Sequence, residues 1–196
     1  AFLQLLHRED IVDCITYCLK ELTTNAKKAN TKRVYFEEKG LNLFKQSEYE
    51  QGMKNFKEDT LENQAHYLQL QKDARLYVKV TLYASESIIK IKVQNNSQMT
   101  RTEFKRMFDK VARAKQFTSL NDAMTQILDS SEGAGLGIVI MMLMLKKIGL
   151  GVDAFEFSSE NGITENVITI PRSMGFKKDI EELAETISDY IDKVPQ

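Results

Sequence analysis

Proline is almost absent. Pro171 and Pro195 are the only two in 196 residues, so no proline-rich linker divides the chain, and one domain over 1–196 is expected. Cysteine is as scarce. Cys14 and Cys18 are too few for a disulfide scaffold, and they read as small apolar positions of one helix in a reducing, cytoplasmic compartment. The two histidines, His7 and His66, make no zinc site with them at any usual spacing. An excess of one charge is missing too. Lys and Arg number 27 against 28 Asp and Glu, which gives no electrostatic case for nucleic acid or an anionic membrane. The most apolar run, Gly133 to Leu145, falls short of the ~20 residues of a membrane helix. The opening residues, Ala1 to His7, lack the basic segment of a signal peptide, and the missing initiator Met suggests a piece of a longer protein.

What is present is an ordinary globular balance, 42% hydrophobic and 28% charged. Apolar residues recur at helical spacing from Asp10 to about Asn30. Lys32 to Glu38, with Val34, Tyr35 and Phe36, predicts a strand. Residues 40–74 are polar and charge-rich, and they predict a helical accessory insertion that stands apart from any site. Arg75–Ala84 and Ser87–Gln94 alternate as the strands of a hairpin. Helices are predicted over Arg101–Gln116 and Leu120–Leu128, and an apolar helix from Gly133–Gly137 to about Ile148 ends at Gly149. Gly151–Phe157 and Ile163–Ile170 read as strands joined across Asn161-Gly162. A last amphipathic helix is predicted at 176–194, with Ile180, Leu183, Ile187 and Ile191 on one stripe. The class is α+β: a two-layer α/β sandwich with a mixed, mostly antiparallel sheet and helices on one face.

Two segments carry chemistry. Glu21, Asn25 and Lys28 stand four and three residues apart, within roughly 60° of each other on a helix. A carboxylate and an amide oxygen suit Mg²⁺, and an ammonium suits a phosphate oxygen; the alternative is a set of solvated rim residues. Five of the nine glycines fall between Gly133 and Gly151. Gly133, Gly135 and Gly137 lead into a helix start, where free N–H groups and missing Cβ atoms admit an anion; the alternative is a hinge with helix-packing glycines. There is no Gly-Lys-Ser/Thr of a P-loop, and the stretch before Gly133 is no strand of a dinucleotide fold.

Taken together, Glu21-x-x-x-Asn25-x-x-Lys28 and Gly133-x-Gly135-Leu136-Gly137 resemble the N box and last glycine box of the GHKL superfamily of ATP-binding domains (the Bergerat fold). The likeness covers about residues 10–171 and is greatest to the histidine-kinase branch. It implies an ATP-binding catalytic domain that uses ATP and Mg²⁺ and passes a phosphoryl group to a histidine outside the chain. It implies Mg²⁺ on Asn25, phosphates on Lys28, Gly133, Gly135, Leu136 and Gly137, and Glu21 as the catalytic carboxylate. Thr118 to Glu132 would be the ATP lid. The family's adenine box, Asp-x-Gly-x-Gly, reads Asn95-Asn96-Ser97-Gln98-Met99 here. Asn95 would then face adenine, since an amide oxygen still accepts from an amino group. The partners implied are the nucleotide, a phosphoacceptor domain or other protein partner, and a second copy held through regions outside the chain. A regulatory interaction module with weak or no nucleotide binding, and a hydrolase of the chaperone or topoisomerase kind, are the alternatives.

Overall fold

The computed structural model describes residues 2–117 and 136–172. Strands β1 (Val78–Ala84), β2 (Ile88–Asn95), β3 (Phe155–Glu160) and β4 (Ile163–Pro171) form a sheet in the order β1-β2-β4-β3. The α+β sandwich is as expected, but the sheet is antiparallel throughout the described residues rather than mixed. Asn161 and Gly162 join β3 to β4 at φ of 52° and 78°, the pair of left-handed residues that a tight hairpin matching strand twist requires.

The central strands β2 and β4 alternate strictly. Ile89, Ile91, Val93, Ile168 and Ile170 are buried on one face, while Lys92 and Glu165 meet at 2.9 Å on the other. Helix α2 (Val12–Glu38) lies on β2, and α7 (Leu136–Lys147) lies between α2 and α6 (Arg101–Gln116). Every residue of α7 from Ile138 to Leu145 is buried, which is why its sequence is apolar all round. Gly149 ends α7 as expected. At φ 84° it lets its own N–H reach Lys146 O at 3.0 Å and Leu150 N–H reach Leu145 O at 2.9 Å. Two lesser shifts follow from local geometry. β3 starts at Phe155 because Val152–Ala154 forms one 3₁₀ turn, and Phe2–Leu5 forms a short α1 ahead of a 3₁₀ turn at Glu9–Ile11. The helices expected at Leu120–Leu128 and 176–194 lie outside the described residues.

One expectation fails outright. Lys32 to Glu38 is the last part of α2, not a strand. Val34, Tyr35 and Phe36 favour strands in isolation, but tertiary burial overrides such preferences. Here they are buried in a second apolar cluster with Leu43, Tyr49, Phe56 and Tyr67. These four come from the 40–74 segment, whose helices α3 (Gln46–Met53), α4 (Phe56–Glu62) and α5 (Gln64–Asp73) pack along the end of α2. α2 stops where Gly40, at φ 65°, sends its N–H to Glu37 O (3.1 Å) and Leu41 N–H reaches Phe36 O (2.9 Å).

Candidate functional site

Along the paired central strands the inner face changes character. Ile89 pairs with Ile170 and Ile91 with Ile168; then Val93 pairs with Asn166 and Asn95 with Thr164. The apolar core therefore gives way to amides and a hydroxyl at one end of the sheet. That end floors a cleft of about 1150 Å³, walled by α2, α6 and the first turn of α7.

Six of the residues singled out from sequence line this cleft: Glu21, Asn25 and Lys28 on α2, Asn95 at the end of β2, and Leu136 and Gly137 at the start of α7. Gly133, Gly135 and the expected lid over Thr118–Glu132 lie outside the described residues. Asn25 Nδ2 donates to Glu21 Oε1 at 2.7 Å, which leaves Asn25 Oδ1 without a donor among the described residues. The Glu21 carboxylate lies against Gly137, so close that a Cβ there would overlap it. A carboxylate beside an amide oxygen is a hard donor pair that fits Mg²⁺. Among the described residues no three His, Cys, Asp or Glu side chains converge, so a cation held here takes its other ligands from phosphate and water.

Asn95 sits in a buried polar network. Asn30 Nδ2 donates to Tyr77 O (3.1 Å), and Asn30 Oδ1 accepts from Asn95 Nδ2 (3.2 Å) and Ser97 Oγ (2.8 Å). Thr164 Oγ1 donates to Ser97 O at 2.7 Å. Ser97, which stands where the resemblance would place a glycine, is thus committed to internal bonds.

Other residues of the cleft carried no mark in the sequence reading. Arg106, Lys110 and Arg113 line the α6 wall at four- and three-residue spacing, across from Lys28 and Lys32. That basic periodicity was readable once α6 was known to face a pocket. Glu103 anchors α6: it closes a capping box with Thr100 and pairs with Lys32 at 2.6 Å and Arg33 at 2.9 Å. Burial acts to raise its carboxyl, but Lys32 and Arg33 outweigh that and hold it at about 2. Tyr49 and Met53 of α3 also line the cleft. Tyr49 lies under Lys32 and Arg106, whose charges stand 5.3 and 5.5 Å from its ring centroid. The 40–74 segment is therefore part of the cleft wall, against the expectation that it stands apart. His7 is exposed, and His66 is an exposed partner of Glu38; neither lines the cleft. Among the described residues no helix is long and apolar enough to cross a membrane.

An uncharacterized protein of Treponema pallidum (strain Nichols) is similar to the whole chain, 50% identical over 196 residues. The chain spans 38% of that protein's length. No protein-family model and no solved structure matches the chain.

Proposed function

We propose that the cleft binds Mg·ATP and that the chain is the ATP-binding catalytic domain of a histidine-kinase-like signalling protein of the GHKL type. One observation supports the reading above others. Residues from three separate stretches of sequence, chosen for phosphate, metal and base chemistry, line one cleft. Mg²⁺ would supply charge neutralisation at the phosphates. Asn25 Oδ1, beside the Glu21 carboxylate, would hold it; Lys28 and the backbone from Gly133 to Gly137 would bind phosphates, and Asn95 would accept from the base. Glu21 orients groups at the γ-phosphate. Catalysis of this kind is mostly positioning and charge stabilisation. The phosphoacceptor histidine, other protein partners and any homodimer contact belong to regions outside the chain, in a cytoplasmic setting with neither nucleic acid nor membrane as partner.

A specific observation favours a second reading, a regulatory interaction module with weak or no nucleotide binding. Ser97 fills and bonds where a glycine would let a base approach, and Glu21 covers the first turn of α7. Calorimetric titration with a non-hydrolysable ATP analogue, with and without Mg²⁺, separates the two. The first reading expects Mg²⁺-dependent binding, weakened by ~1–3 kcal/mol in Asn25→Ala, the scale of a lost contact to a charged group. A folded wild-type chain that gives no binding selects the second.

A further inference from the structure

The floor of the cleft holds a side-chain acceptor that nothing satisfies. Among the described residues Asn166 Oδ1 is the buried side-chain polar atom with no hydrogen-bond partner. Asn166 is 5% exposed and lines the cleft. Buried polar groups are generally paired, so an orphan of this kind marks a place where a donor belongs.

The groups around it are already spent, and the direction of each bond is fixed from one end. Tyr77 O can only accept, so Asn30 must turn its Nδ2 there and its Oδ1 inward. That oxygen takes Asn95 Nδ2, which leaves Asn95 with its carbonyl oxygen alone. The Thr164 hydroxyl is donated to Ser97 O. What remains toward the cleft is the Asn95 carbonyl oxygen and the Asn166 amide, whose Oδ1 is the unpartnered atom. Asn95 pairs with Thr164, so Asn166, two residues on, is its diagonal neighbour on the same face. Diagonal neighbours lie ~7–8 Å apart at the backbone, within reach of one small group between their side chains.

Resting on the nucleotide reading above, we infer that Asn166 is a second base-contacting, specificity-determining residue, which with Asn95 accepts both N–H bonds of one exocyclic amino group. The cleft then selects a base that carries its amino group where adenine has N6 and cytosine N4, over guanine, which presents its O6 carbonyl there and would turn it toward two oxygens. Asn30 is a positioning residue that keeps Asn95 an acceptor. Neither amide titrates, so the selectivity is the same across the neutral pH range.

The test is a titration of the folded chain with ATP, CTP, GTP and purine riboside triphosphate, which lacks the amino group, repeated on Asn166→Ala and Asn166→Leu. Wild type is expected to bind ATP or CTP about tenfold or more tighter than the amino-free analogue and GTP. Both variants should lose most of that ratio while keeping their affinity for the amino-free analogue. ATP binding with an unchanged ratio in the variants, or a preference for GTP, overturns this inference and leaves the nucleotide reading standing. No binding of any of the four by folded wild type overturns both. Where neither variant folds, the wild-type ratio decides, and a value near one overturns the inference.

Discussion

The Glu21 carboxylate rests on Gly137, at a separation that no side chain at 137 would permit. α2 and α7 thus meet at the cleft through the absence of a Cβ. The same carboxylate holds Asn25 Nδ2 at 2.7 Å. The first turn of α7 therefore sets where Glu21 stands and, through it, which way Asn25 turns. A carboxylate at a helix start is also favoured by the helix dipole.

Gly137→Ala separates site from fold. The group in the way is the end of a flexible side chain, so Glu21 can swing aside. Alanine within a helix gains up to ~1 kcal/mol over glycine. The melting temperature should hold or rise, while Mg·ATP affinity falls as the Glu21–Asn25 pair is broken. A variant that keeps both stability and full affinity would show that this pair does not organise the site.

Gly52→Ala probes the second core. A Cβ at 52 would run into the ring of Phe36, which is 1% exposed and stacked on Tyr49 with centroids 5.9 Å apart. A ring wedged in this way cannot swing clear, and overpacking of this kind costs on the order of 1–3 kcal/mol. Chemical denaturation should show the loss, and adding Phe36→Leu should recover part of it. For the same reason, replacing 40–74 by a short linker should unfold the chain by exposing Tyr35 and Phe36. A linker variant with a native melt would return the segment to the status of a detachable insertion.

These residues also show what was legible in the sequence. The α6 helix, Arg101 to Gln116, came through because its cap and its periodicity are local. The β1–β2 and β3–β4 hairpins came through because alternation and Asn161-Gly162 are local as well. Val34, Tyr35 and Phe36 misled because their local preference was outweighed by partners between Leu43 and Tyr67. The one local counter-signal was Gly40, a helix-ending glycine placed after Glu38 rather than before Lys32. Glu21, Asn25 and Lys28 were readable as a cluster because one helix carries all three. Asn166 was not, because its meaning depends on the register that sets it beside Asn95. Tyr49 and Arg106 likewise acquire a role only when three distant helices meet.

Arg75→Gly should stabilise the chain. Arg75 occupies the left-handed position after α5 at φ 54°, where its N–H reaches Lys72 O and Leu76 N–H reaches Gln71 O. L-residues lose ~1–2 kcal/mol in that conformation. Glycine removes the strain but gains unfolded-state entropy, so the net rise is at most about 1 kcal/mol. Arg75→Val should lower stability. Denaturant midpoints for the two variants test the order, and the reverse order would refute a strained cap.

Glu103 makes the fold sensitive to acid. Its carboxyl is held at about 2 in the folded chain, below the ~4.3 of an unperturbed Glu. The folded state therefore takes up this proton later than the unfolded state does. The contribution is fully present above about pH 5 and is lost as pH falls toward 2, and it is worth on the order of 3 kcal/mol. Because Glu103 joins Lys32 and Arg33 of α2 to the start of α6, its protonation loosens one wall of the cleft. Glu103→Gln isolates the charge, since a Gln side chain can still close the capping box with Thr100. The variant should be less stable than wild type at pH 7, with a flatter decline between pH 5 and 2. The two curves should draw together toward pH 2, where the folded wild-type carboxyl is about half protonated and the unfolded one almost fully so. Parallel curves over that range would assign the acid sensitivity to other carboxylates and reduce Glu103 to a helix cap.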